Sequence, residues 1–166
     1  MVGDTPPVLV RAYRRRDDAK GTHAAYRLAI TRTASADYEP KQIAAWVGAG
    51  DVDLSQWDAH RTAAHTFVAV VDKQIAGFVD FLGDGLLDML FVHPDFGRRG
   101  IARMLVARVK REAGLVGLSA LHTHASRTAR PAFEQFGFWV VTSRPDNIVN
   151  AHTVPNYEMR CDLTSG

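Results

Sequence analysis

The chain has 166 residues, a formal net charge of +2 and a single cysteine, Cys161. That length suits one domain, read as 1–166, with enough chain to bury a core. The charge is too small and too scattered to argue for nucleic acid, one cysteine excludes an internal disulfide, and no apolar run nears the ~20 residues of a membrane span.

The first residues, MVGDTPPV, lack a basic segment leading into an apolar run. They do not read as a secretory signal, so the cytoplasm is the default compartment. Val8 to Tyr13 reads as a first strand. Asp18 to Thr33 places Ala24, Ala25, Leu28 and Ala29 on one helical face. Pro40 to Val47 reads as a second helix, with proline in its first turn and Gly48 beyond its end. Gly48 to Trp57 is loop-like, and Ala59 to Ala64 a short third helical piece. Thr66 to Val71 and Ile75 to Leu82 form a hairpin about the turn at Asp72 to Gln74. Gly83-Asp84-Gly85 turns the chain into a third strand, Leu86 to Val92. Gly100 to Ala113 has the helical period, with Gly114 as its expected stop. Leu118 to His124 is a strand, Arg130 to Phe136 a short helix closed by Gly137, and Phe138 to Ser143 and Thr153 to Leu163 the last strands. The order β-αα-βββ-α-β-α-ββ, counting the third helical piece with the first two, describes an α/β protein with a mixed sheet.

Chemistry concentrates in LLDMLFVHPDFGRRGIARMLVARV, Leu86 to Val109. A strand that ends at a glycine-rich turn and feeds a helix gathers unpaired backbone N–H groups at the positive end of the helix dipole, a site suited to phosphate. Gly97 and Gly100 allow a close backbone approach, and Arg98 and Arg99 add charge at the rim. GRRGIA lacks the Gly-Lys-Ser/Thr ending of a nucleoside-triphosphate loop. A pyrophosphate site for another nucleotide and a turn without a ligand both remain open.

VHPDFGRRGIARMLV resembles the acetyl-coenzyme A motif of the GCN5-related N-acetyltransferases, Val-x-Pro-x-x-(Gln/Arg)-x-x-Gly-x-(Gly/Ala). Val92, Pro94, Gly100 and Ala102 match, whereas Gly97 stands where the family usually has Gln or Arg, and Arg98 where it often has Gly. A second segment, ASRTARPAFEQFGF, resembles the family's later helix, which closes on Gly137-Phe138. The resemblance covers essentially the whole chain. It implies a mainly antiparallel sheet of six to seven strands flanked by helices, acetyl-coenzyme A as acyl donor without a metal, and direct transfer to the primary amine of a small molecule or peptide. It implies neither a nucleic-acid nor a membrane partner, and leaves a homodimer open.

The same resemblance assigns residues. The backbone from Arg98 through Gly100 and Ile101 to Ala102 would hold pyrophosphate. Leu90, Phe91 and Val92 would pair with the pantetheine arm and offer an N–H to the thioester carbonyl. Asp88 is the candidate base, or else an ordinary hydrogen-bonded acid at a strand start; Asp80 and Asp84 are the reserves. Strand alternation puts Leu87 and Met89 on the face opposite Asp88. Phe133 occupies the family's common tyrosine position and cannot donate a proton, so Tyr157 is the substitute acid or a structural tyrosine. Ser126 stands where the family often has Asn, as a cofactor contact or a helix cap; Pro131 favours a later start with Thr128 as cap. Tyr26, Tyr38, Trp46 and Trp57 either line an acceptor cleft or belong to the core, and His124 either lines that cleft or is structural. The missing tyrosine keeps an alternative function alive: a non-catalytic acyl-coenzyme A sensor or partner-binding module on the same fold.

Overall fold

The structure is a computed structural model and describes residues 5–48 and 52–164. The first four residues of the N-terminal stretch and 49–51 of the expected loop lie outside the described residues. Helices and strands alternate as β1 (Val8–Ala12), α1 (Ala19–Leu28), α2 (Pro40–Val47), α3 (Leu54–Ala63), β2 (His65–Val71), β3 (Gln74–Phe81), β4 (Leu86–Val92), α4 (Ile101–Leu115), β5 (Ala120–Ser126), α5 (Arg130–Gln135), β6 (Trp139–Arg144), β7 (Ile148–Val149), β8 (His152–Thr153) and β9 (Asn156–Asp162). Seven strands form one sheet in the order β1-β2-β3-β4-β5-β9-β6, and β7-β8 is a separate short hairpin. Every pairing in the large sheet is antiparallel except β4 with β5, which α4 connects as a crossover. This is the mixed sheet that the element order implied, and the mainly antiparallel one that the resemblance implied.

Three element boundaries differ from expectation, each for a local reason. The first helix stops at Leu28, widens into a π turn over Ala29–Thr33 and tightens into a 3₁₀ turn at Ala34–Ala36. Thr31 and Ser35 donate their hydroxyls back to the carbonyls of Arg27 and Arg32, at 2.8 and 2.9 Å, which competes with the regular ladder. The third helix starts five residues early, because the Asp53 carboxylate caps it by accepting from the N–H groups of Ser55 and Gln56. Helix α4 runs through Gly114, and the chain turns out of it only at Gly117, whose φ is +87°. There the Leu118 N–H bonds back to the Ala113 carbonyl at 3.0 Å.

The sheet is covered on both faces. Leu105, Val106 and Val109 of α4 and Phe133 of α5 pack one face against Val79, Leu87, Leu121 and Met159. Ala25 and Trp57 lie on the other, over Val68, Phe78 and Phe91. Among the described residues no helix is long and apolar enough to cross a membrane.

Helix α4 sits close to the sheet at Gly77. A Cβ there would meet the Phe91 carbonyl oxygen at 2.9 Å and the Ile101 side chain at 3.2 Å. Gly77→Ala is therefore expected to cost about 1–3 kcal/mol in a urea titration, the range of overpacking. Wild-type stability in this variant would mean that α4 can withdraw from the sheet freely.

Candidate active site

Strand β4 pairs with β5 only at Leu86–His122 and Leu87–Thr123. Beyond them β5 remains paired with β9 as far as Ser126–Asn156, and β4 with β3 as far as Val92–Gly77, so the two strands part. The Thr123 hydroxyl donates to the Leu87 carbonyl at 2.8 Å, at the point of parting. His93 donates its N–H to the Ala76 carbonyl (2.8 Å) and Met89 donates its N–H to the Asp80 carboxylate (3.0 Å). Alternation then turns the N–H and C=O groups of Leu90 and Val92 away from β3, into the gap. A cleft of about 210 Å³ occupies that gap, bounded by Leu90, Phe91 and Val92, by Ala102 of α4, by Ser126 and Phe133, and by Ala29 and Ile30 of the π turn.

The turn into α4 lies beside this cleft. Arg98 and Gly100 both take left-handed backbone, with φ of +61° and +72°. Gly100 is the N-cap of α4 and no side chain caps the helix. The first bond inside it runs from Met104 N–H to the Gly100 carbonyl at 3.0 Å, leaving the N–H groups of Ile101, Ala102 and Arg103 without an acceptor within the helix. No atom lies within 4 Å of where a Gly100 Cβ would be. The glycine is thus favoured by its backbone conformation and not by protein packing. The two arginines differ. Arg98 is exposed, whereas Arg99 is half-buried and donates to the Pro6 carbonyl, which ties it to the N-terminal segment.

A second chamber of about 170 Å³ adjoins the first, and the two share Trp46, Phe91 and Ser126. Tyr26, Tyr38, Trp46 and Phe91 supply its aromatic lining, and Asp88, His124, Asn147 and Asn156 its polar one. Tyr26 donates to the Trp46 carbonyl at 3.1 Å; Tyr38 donates to the Pro155 carbonyl at 2.6 Å and accepts from the Arg127 N–H at 2.8 Å. Burial raises the pKa of both phenols. Burial also lowers the pKa of His124; Arg144 adds to that, while Glu158 and Asp88 oppose it, so the imidazole favours its neutral form.

Asp88 reaches this chamber through an irregularity that alternation does not foresee. Asp80 pairs with Met89 and Phe81 with Leu87, so Asp88 is the extra residue of a β-bulge. Leu87 belongs to the α4 side of the sheet, but Met89 lines the same chamber as Asp88. The expectation that both neighbours face away holds for Leu87 alone.

Other residues lie elsewhere. Asp84 accepts the Leu86 N–H at 3.0 Å in the turn before β4. Asp80 is fully buried. Tyr157 is absent from the lining of both chambers and has the Arg130 guanidinium 4.5 Å above its ring. Trp57 stands behind Tyr26 and donates its indole N–H to Thr22 at 3.0 Å. Helix α5 starts later than a Thr128 cap would set it. Its N-cap is Ala129, the Ser126 hydroxyl accepts the Ala129 N–H at 3.0 Å, and Thr128 donates instead to Asp37 at 2.8 Å. Met89, Asn147, Asn156 and the β7–β8 hairpin residue Val149 carry no motif that marks them as chamber lining; only the fold collects them. Among the described residues no three of His, Cys, Asp and Glu are grouped as around a metal ion.

A family model of the acetyltransferase (GNAT) domain matches residues 34–163. Over 113 residues the chain is 37% identical to the N-acetyltransferase YafP of Escherichia coli (strain K12), covering 68% of this chain and 69% of that protein. Its structure matches a GCN5-related N-acetyltransferase from Rhodopseudomonas palustris with a TM-score of 0.87, 29% identity and coverage of 98% and 99% of the two chains. The yncA structure from Salmonella typhimurium, which holds its cofactor acetyl-CoA, has the same fold at a TM-score of 0.71 and 18% identity, over 95% of each chain.

The left-handed backbone at Arg98 predicts a simple outcome. Arg98→Gly relieves the Cβ clash and is expected to stabilise the fold by about 0.5–1 kcal/mol, after the entropy glycine loses on folding. Scanning calorimetry reads this as a higher Tm; a lower Tm would mean that the guanidinium makes a stabilising contact that outweighs the strain.

Proposed function

The chain belongs to the GCN5-related N-acetyltransferase family and is an N-acetyltransferase, and on that premise we propose that it moves the acetyl group of acetyl-coenzyme A to a small primary amine by direct attack. The observation that carries this reading is the meeting of the two chambers at Trp46, Phe91 and Ser126, one lined by strand backbone and the other holding a carboxylate.

The residues of the first cleft fit the donor. The unpaired N–H groups of Ile101, Ala102 and Arg103 and the open ledge at Gly100 suit a pyrophosphate, and Arg98 adds positive charge beside them. Leu90 and Val92 have backbone groups free to pair with an amide-bearing arm, and an N–H there stabilises the oxyanion of an attacked carbonyl. In the second chamber four aromatic rings and Asp88 suit a small ammonium with an apolar body. Asp88 takes the proton that frees the amine lone pair, directly or through a water. The amine nitrogen bonds to the carbonyl carbon, the carbon–sulfur bond breaks and the sulfur leaves with the electron pair. A thiol titrates near 8.5, so its thiolate is a good leaving group that water can reprotonate. Phe133 therefore need not be replaced by another acid; it packs, buried, beside the cleft.

Incubation with acetyl-coenzyme A and a panel of amines, with free thiol as the readout, tests the activity; tight donor binding without turnover on any amine counts against the proposal. Asp88→Asn is expected to lower kcat by about 10²–10⁴-fold with donor affinity unchanged. Gly100→Val is expected to abolish donor binding, seen by calorimetry. Retained affinity in that variant overturns the backbone cradle.

A further inference from the structure

Asp80 sits at zero exposure in β3, directly behind the bulge. It lines neither chamber, and its burial leaves it no access to an amine. Its Oδ1 accepts the Met89 N–H at 3.0 Å. In a regular ladder that N–H would go to a β3 carbonyl; here a side-chain oxygen accepts it, and the register slips by one residue at Asp80–Phe81. The other oxygen, Oδ2, lies 2.9 Å from Nε of the buried Arg61, near enough for an ion pair but not aligned as a hydrogen bond. Arg61 extends the arrangement. Its Nη1 contacts the Met89 sulfur at 2.7 Å, and its guanidinium lies 4.6 Å over the Trp57 ring. The chain of contacts therefore runs from α3 through Arg61 and Asp80 to both ends of Met89, the residue next to Asp88.

We infer that Asp80 is a positioning residue: its carboxylate replaces a strand carbonyl as acceptor for Met89, holds the bulge, and so turns Asp88 into the acceptor chamber. This rests on the role proposed for Asp88. Burial pushes the Asp80 carboxyl up to about 6, with Arg61 pulling it down and Asp88 pushing it up. It is thus ionised at neutral pH, and the bond to Met89 is charge-assisted. Arg61 makes a buried carboxylate tolerable and anchors it to α3.

Two double variants of the full chain separate this role from plain structural support. Both replace Arg61 with Leu, so that no unpaired cation stays buried. Arg61→Leu with Asp80→Asn keeps an acceptor for Met89; Arg61→Leu with Asp80→Leu removes it. The first is expected to keep kcat within about threefold of wild type, and the second to lose about 100-fold in kcat with KM for acetyl-coenzyme A unchanged, as a displaced catalytic group would. Equal kcat values in the two folded variants overturn the inference. Where either variant fails to fold, the wild type decides. Its Met89 amide should be protected from hydrogen exchange, and its proton shift should move as Asp80 titrates, with Arg61 and Asp88 as the charged neighbours. A rapidly exchanging amide, or one whose shift ignores that titration, overturns the inference. Because the amide is read without substrate, a wild type that turns over no amine sinks the proposed activity and leaves this measurement standing.

Discussion

The site depends on two strands that stop pairing. β4 and β5 share two residue pairs and then diverge. A parted pair of central strands leaves backbone donors and acceptors unsatisfied, at about 1–3 kcal/mol for each group kept from both water and a partner. The chain tolerates this because each strand stays paired on its other side, apart from the bulge at Asp88, and because the gap admits a ligand or solvent. The ligand-facing surface of the cleft is thus the part of the ladder that β5 does not take up. Helices then close the gap selectively: α4 and α5 wall one side, and the π turn after α1 lies opposite. A π turn is a costly local geometry found often at functional sites, and here it places Ala29 and Ile30 against the cleft.

The second chamber is held by aromatic contact rather than by a frame of its own. Trp57, Tyr26, Phe91, Trp46 and Tyr38 form a continuous series, with successive ring centroids 5.2, 5.0, 6.4 and 5.5 Å apart. Such tilted and edge-to-face pairs contribute roughly 0.5–1.5 kcal/mol each beyond burial. Trp57 is at the back of the series and does not line the chamber, yet it fixes Tyr26 and lies against the guanidinium that serves Asp80. Tyr38, at the front, ties Pro155 before β9 to Arg127 after β5. The chamber wall and the strand ends are consequently one structure.

Much of this was legible in the sequence, and the limits have physical causes. Order and type of elements followed from periodicity and turn residues, and the glycine-rich turn that opens α4 from Gly97 and Gly100, because these signals are local. Asp53 followed by Gln56 three residues on is a helix-start pattern, and it marks the early beginning of α3. Gly114 and Gly117 could each have ended α4; the choice fell to the Leu118–Ala113 bond, which needs the later glycine's positive φ. The bulge could not be read at all. It coincides with a bond from the Met89 N–H of β4 to the Asp80 side chain of β3, and no spacing within β4 records that. Asn147, Asn156 and Val149 escaped for a related reason: they reach the chamber only through the insertion of β9 between β5 and β6.

The departures from the family pattern at Gly97 and Arg98 now have a conformational meaning. The turn takes left-handed backbone at 98 and 100, just ahead of the uncapped start of α4. Glycine at 98 adopts that conformation without strain, and an arginine adopts it at a cost of about 1–2 kcal/mol. Arg98 stays exposed at the turn, and Arg99 is committed to the Pro6 carbonyl. The displaced arginine therefore does not take over the missing side chain's place within the turn. What the turn offers is main chain and the helix dipole, with one exposed cation outside it. Under the donor-binding role proposed for this turn, an anion would be recognised by the direction of the N–H groups, and changes of side chain would matter mainly through the backbone angles they permit.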